Sequence, residues 1–263
     1  MNAWEAALLG LIQGLTEFLP VSSSGHLTLV QRWLGWKPSS EQAIAFDVVV
    51  HLGTLVAVLL YFRVQLLEIL LRRRKAIVTL ALATAPLGLA LFLRKLVAEV
   101  QEDPLFLGLA FFATAALLLA ADPPGRAPPP PDAPQPGPDA LEDVPPARAL
   151  GVGFAQLGAI LPGVSRSGST ISCGLLLGLS PRLAGELSFL MSIPAVLGAT
   201  AVEARHIGDL TALDPAPVAV GFAISLLSGL GAIALLRWLL DRRRLWVFAP
   251  YLVVVGAASI LTG

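Results

Sequence analysis

Six stretches of the chain, near residues 43–62, 76–93, 104–121, 183–202, 218–240 and 245–262, are apolar almost throughout. Each approaches the roughly 20 residues that a helix needs to cross about 30 Å of hydrocarbon. Only helices or closed barrels satisfy every backbone polar group in lipid, and these runs are continuous rather than alternating, so they read as helices. The whole chain agrees: of 263 residues 56% are hydrophobic and 14% charged, with a mean hydropathy of +0.77. An all-α, polytopic integral membrane protein is the expected fold class. Met1-Asn2-Ala3-Trp4-Glu5 has no basic character, and Gln13, Thr16 and Glu17 interrupt the apolar run behind it, so a cleaved signal peptide is not expected. The single cysteine, Cys173, excludes an internal disulfide and reads as a small packing residue. A net charge of zero without a basic groove argues against a nucleic-acid partner.

Residues 122–146 hold 11 of the 21 prolines and little that could pack in lipid, which marks a cytoplasmic linker. On either side of it the chain repeats itself at a constant offset of 143: Gly10/Gly153, Gln13/Gln156, Val21/Val164, Ser22/Ser165, Ser24/Ser167, Gly25/Gly168, Pro38/Pro181, Phe46/Phe189 and Arg94/Arg237. Residues 1–121 and 147–263 are therefore two membrane repeats of about 120 residues. Arg72-Arg73-Arg74-Lys75 in the first copy matches an uncharged stretch at 215–218 near Asp209 and Asp214, whereas Arg242-Arg243-Arg244 in the second matches Arg-free 99–101. Positive loops face the cytoplasm, so the copies carry the charge signature of an inverted-topology repeat. In that arrangement each copy opens with a re-entrant helical hairpin, and the two hairpin tips meet near mid-membrane. A full crossing by one of these stretches is the alternative, and it leaves the motifs where they are.

The tips carry polar residues that a lipid environment penalises by about 2.5 kcal/mol or more per charge unless they are paired or wet. The first reads "PVSSSGHL" over 20–27 with Glu17 just before it; the second reads "LPGVSRSGST" over 161–170. Arg166 offers a planar fork for phosphoryl oxygens. Gly25 and Gly168 follow the serines where helices restart, and free N–H groups at a helix start hold anions. Glu17 and His26 have the chemistry of a general acid and base, and a serine relieved of its proton is a nucleophile. A phosphate site that faces lipid implies a lipid phosphate as ligand.

"QGLTEFLPVSSSGHL" and "LPGVSRSGST" resemble the two signature motifs of the undecaprenyl-diphosphate phosphatases, the bacterial enzymes also called bacitracin-resistance proteins. The resemblance continues through "AFDVVVHLGTLVAVLLYFR" (45–63), "GLLLGLSPRLAGELSFLMSIPAVLGA" (174–199) and "FAPYLVVVGA" (248–257). It implies hydrolysis of undecaprenyl diphosphate to undecaprenyl phosphate and inorganic phosphate, recycling the lipid carrier for cell-wall synthesis, in the cell's inner membrane with a site open to the outside. By the same resemblance Glu17, His26 and Arg166 are the key polar residues and Ser23 the expected nucleophile, with direct attack by His26 or by water as the alternatives. Ser22, Ser24, Ser165, Ser167 and Thr170 then hold phosphate. Gln13 stands where many members have glutamate; it shares a helix face with Glu17 and is expected to bind or orient rather than to act as a base. Members commonly need Mg²⁺ or Ca²⁺, which the diphosphate itself would mainly hold, with Glu17 the one candidate protein ligand. A homodimer is an open option.

Simpler readings stand beside these. Serines and glycines at helix crossings often serve close packing, and His51, inside an apolar span, reads as a satisfied structural histidine that could also line a cavity. Asp47 and Glu186 are candidates to pair with the hairpin tips. A transporter or flippase of prenyl phosphates would use the same architecture, but the asymmetry between the motifs favours chemistry. Acid-phosphatase-type lipid phosphatases place a second histidine soon after their Ser-Arg motif; here none follows until His206.

Overall fold

The computed structural model describes residues 1–101, 103–126, 137–138, 140–203 and 214–262. Residues 127–136 of the proline-rich segment, together with His206 and Asp209, lie outside them. All regular structure among the described residues is helical. The chain runs through α1 (Ala3–Phe18), α2 (Ser23–Trp33), α3 (Glu41–Tyr61), α4 (Arg63–Arg72), α5 (Arg74–Thr84), a 3-10 turn (Ala85–Leu89), α6 (Ala90–Val100) and α7 (Pro104–Ala121). After a 3-10 turn at Leu141–Asp143 come α8 (Pro146–Gly158), α9 (Arg166–Leu176), α10 (Pro181–Glu203), α11 (Pro215–Asp241) and, behind a third 3-10 turn, α12 (Phe248–Thr262).

Among the described residues six segments are long and apolar enough to cross a membrane: Glu41–Tyr61, Arg74–Leu93, Pro104–Ala121, Pro181–Glu203, Pro215–Asp241 and Leu245–Thr262. They coincide with the six apolar runs of the sequence. Their starts are set locally. Asp103 and Asp214 accept backbone N–H groups of the first turn just ahead of Pro104 and Pro215, and Ser40 does the same for α3. The helices that flank the motifs, α1, α2, α8 and α9, are shorter. α1 has 16 residues and opens on a reciprocal capping box between Asn2 and Glu5; α8 has 13. α2 and α9 have 11 each, about 16 Å of helix at 1.5 Å per residue.

The offset of 143 carries over to the elements. α1 and α8 begin at Ala3 and Pro146, and α2 and α9 at Ser23 and Arg166. Packing across the halves is reciprocal: α1 lies along α11, and α8 lies along α5 and the 3-10 turn behind it. The equivalent glycines Gly10 and Gly153 make both crossings close, since a Cβ on Gly10 would sit 2.5 Å from the Gly221 carbonyl oxygen and one on Gly153 2.5 Å from that of Ala83. Gln13 and Glu17, four residues apart, share the buried face of α1.

The proline-rich segment packs better at its ends than its composition suggests. Asp122 is buried and accepts the Leu245 N–H at 2.8 Å. Leu141 is fully buried, and its carbonyl accepts the Thr79 hydroxyl of α5 at 2.9 Å. Next to it Glu142 pairs with Arg73, whose guanidinium holds the Glu142 carboxyl below the usual carboxylate range.

Candidate active site

Two breaks in the helical path create the site. The first joins α1 to α2. Pro20 cannot continue α1, whose backbone turns extended at Leu19, and the chain re-enters a helix through Ser22. Ser22 takes φ 70° and ψ 97°, a region that L-residues avoid. Its carbonyl is gripped by His26, which brings Nδ1 to 2.7 Å. The second break joins α8 to α9. There Gly163 supplies the positive φ and Ser165 caps α9 conventionally, its Oγ accepting the Gly168 N–H at 3.0 Å.

The breaks touch each other. A Cβ on Gly25 would lie 3.1 Å from the Gly163 Cα. Ser167 Oγ donates to the Leu19 carbonyl at 3.0 Å, and Arg166 reaches across to Glu17, its guanidinium nitrogen 2.7 Å from Oε1. The other carboxylate oxygen of Glu17 accepts the Ser23 hydroxyl at 2.7 Å and the Gln13 amide at 3.1 Å. A second Arg166 nitrogen donates to the Ser188 carbonyl of α10 at 3.1 Å, which fixes the guanidinium plane. Serine, carboxylate and guanidinium thus form one chain of charge-assisted hydrogen bonds.

That chain opens on a cavity of about 600 Å³. Its lining combines polar Thr16, Glu17, Ser22, Ser23, Ser24, His51, Ser165, Arg166 and Glu203 with apolar Leu87, Ala90, Leu91, Ala195, Val196, Ala199 and Val202. Among these His51 Nε2 lies 3.8 Å from Glu17 Oε2, with Nδ1 held by the Asp47 carbonyl. Polar and apolar side chains thus share the wall of one space.

Not all of the residues singled out in the sequence meet there. Glu17, Ser22, Ser23, Ser24, Ser165 and Arg166 do. His26 stands behind the first break: its Nε2 is 2.6 Å from the Tyr251 hydroxyl, its ring stacks on Tyr251 and meets Phe111 edge-on, and it does not line the cavity. Ser167 and Thr170 are fully buried and engaged elsewhere, Thr170 donating to the Arg166 carbonyl at 2.8 Å and lying 2.7 Å from the Ser188 hydroxyl. The Gly168 N–H is held by Ser165 rather than turned to the cavity. Asp47 accepts the Gln31 amide at 2.8 Å, and Glu186 pairs with Gln65 beside a separate cavity of about 200 Å³, so neither joins the tips. The sequence reading passed over Thr84, Gln156 and Glu203, which line the main cavity. It also passed over Tyr251, far from the motifs in the chain.

Among the described residues no three His, Cys, Asp or Glu side chains cluster as metal ligands. The oxygens of Glu17, the one carboxylate touching Ser23, are already taken by Ser23, Gln13 and Arg166. This donor set does not fit a divalent cation held by the protein alone.

A family model described as "Bacitracin resistance protein BacA" matches residues 6–258. The chain belongs to the BacA family. Its relatives include proteins named undecaprenyl-diphosphatase in Carboxydothermus hydrogenoformans, 37% identical over 99% of this chain and 97% of that protein, and in Syntrophotalea carbinolica, 39% identical over 97% of each. A third, in Methanobrevibacter smithii, is 36% identical over 97% of this chain and 96% of that protein. The match takes in both breaks, five of the six spans whole and the sixth as far as residue 258, so the cavity and its lining belong to the BacA part of the chain.

Proposed function

We propose that this BacA-family protein hydrolyses undecaprenyl diphosphate to undecaprenyl phosphate and inorganic phosphate, with Ser23 as nucleophile. The observation that carries the reading is the hydrogen-bonded series Ser23, Glu17, Arg166 in the wall of a cavity whose lining is otherwise largely apolar. The names of the relatives point the same way. A flippase would need only a binding site, and nothing in binding calls for a serine hydroxyl 2.7 Å from a buried carboxylate.

In this scheme Ser23 Oγ attacks the terminal phosphorus as Glu17 takes its proton. The new O–P bond replaces the bond to the bridging oxygen, whose electrons leave with undecaprenyl phosphate. Arg166, with five N–H donors and two of its nitrogens already anchored, faces the equatorial oxygens and stabilises the charge that develops there. Glu17 releases its proton to the wet end of the cavity, then accepts one from a water that attacks the phosphoserine; Ser23 Oγ recovers a proton as phosphate departs. Ser22, Ser24 and Ser165 border the phosphate. Gln13 orients Glu17, and His26 acts one step removed by holding the Ser22 carbonyl. Dependence on Mg²⁺ or Ca²⁺ is assigned to a cation that arrives on the diphosphate.

The same reading makes both breaks re-entrant hairpin tips within an inverted repeat, since the flanking helices are too short to span and the basic loops alternate between copies. It puts the mouth of the cavity on the outer face of the cell membrane and the proline-rich segment inside. Phosphate release from a C15 or C55 prenyl diphosphate by detergent-purified protein tests the chemistry. Arg166→Ala and Ser23→Ala are each expected to lower turnover by about 10²-fold or more. Saturable binding of the lipid diphosphate without any release by the native protein would replace the phosphatase with a carrier.

A further inference from the structure

The repeat provides an internal control for one side chain. Gln13 and Gln156 are equivalent at the offset of 143, but the residue four positions on is Glu17 in the first half and Ile160 in the second. Gln13 accordingly donates to its carboxylate. Gln156 has lost that partner: it is 1% exposed, its amide atoms lie just beneath the surface, and among the described residues neither the amide nitrogen nor the amide oxygen has a hydrogen-bond partner. Across the α8–α5 crossing set by Gly153 and Ala83, the buried Thr84 hydroxyl is also without one. Both residues line the cavity.

An unmet buried amide costs about 1–3 kcal/mol in a protein interior, more than its apolar isostere would. Leucine fits the same volume and would suit the surrounding Leu87, Ala159 and Ile160. Gln156 sits two residues before the end of α8, on the wall that continues through Ala159, Ile160, Val164 and Ser165 to Arg166. A diphosphate whose terminal phosphorus lies at Ser23 and Arg166 has its second phosphate elsewhere along the same lining. Among the described residues no charged group other than Glu17, Arg166, His51 and Glu203 lines that space.

We infer that Gln156, with Thr84, is the hydrogen-bonding subsite for the phosphate that stays on the lipid. A neutral donor pair suits that position, since it holds the phosphate in the substrate without retaining the dianionic product as a second arginine would. The assignment rests on the phosphatase reading and specifies where each half of the diphosphate lies.

The test uses the full chain in detergent, with undecaprenyl diphosphate as substrate and two inhibitors, undecaprenyl phosphate and inorganic phosphate. If the native protein releases no phosphate, the phosphatase reading fails and the subsite with it. If it does, Gln156→Leu is expected to raise KM and the Ki for undecaprenyl phosphate together by about 10-fold, the equivalent of about 1.4 kcal/mol. The Ki for inorganic phosphate, which occupies the terminal position alone, should stay the same. Thr84→Val should shift the same pair of constants by a smaller factor. Thermal stability of Gln156→Leu should be unchanged or higher. Unaltered KM and lipid-phosphate Ki in both folded variants, or a rise in the Ki for inorganic phosphate equal to the other two, overturns the assignment.

Discussion

The two breaks are nearly the same sequence, Val-Ser-Ser-Ser-Gly at 21–25 and Val-Ser-Arg-Ser-Gly at 164–168, and they fold differently. In the second, Ser165 is an ordinary N-cap with φ −72°, and the hydroxyls of Ser165 and Ser167 are engaged by backbone. In the first, Ser22 has φ 70° and its side chain caps nothing. One break is built for rigidity and presents an arginine from a stable helix start. The other stores backbone strain, about 1–3 kcal/mol for a residue in such a region, and leaves three hydroxyls facing the cavity. Division of labour between two copies of one motif is thus a matter of capping as much as of side-chain identity.

The largest effect expected from this contrast concerns His26, which holds the strained carbonyl. His26→Ala should lower kcat by about 10- to 100-fold while the pH profile of kcat/KM keeps its shape, because the residue positions Ser22 and does not exchange protons with substrate. Loss of one limb of the profile would instead make His26 an acid or base and erase the difference between a positioning and a reacting side chain. Next comes stability. Ser165→Ala removes a cap and should cost about 1 kcal/mol, whereas Ser22→Gly relieves a positive φ and should stabilise by up to about 1 kcal/mol, even as activity falls. Thermal melts in one detergent read both; shifts of the same sign would mean that the breaks are equivalent. The smallest effect lies outside the membrane. Arg73 lowers the Glu142 carboxyl, so the pair contributes stability above the unfolded-state value near 4.3 and loses it as pH falls through the lower folded value. For a pair this exposed the contribution is about 0–1 kcal/mol, and melts of Glu142→Gln and the native chain should differ slightly at pH 7 and converge in acid.

The spans were legible because hydropathy over twenty residues leaves little choice, and the breaks because proline, glycine and serine stand where leucine would otherwise be. Glu17, Ser23 and Arg166 were legible as intramembrane polar groups that need partners. Which hydroxyls face the cavity was not, since that depends on the sign of one φ at Ser22. His26 looked like its neighbours in sequence, yet it points to Tyr251, 225 residues away. The Gln13/Gln156 match was visible in the repeat; that one amide finds a carboxylate and the other finds none emerges only once the helices are packed.

Where the breaks meet, Ser23 and Arg166 occupy the same place in their respective copies, since each opens an 11-residue helix at the 143-residue offset. Two identical polypeptides brought together in this way could present a serine twice or an arginine twice, never one of each. A single chain that holds both stretches lets a serine and a guanidinium share one carboxylate.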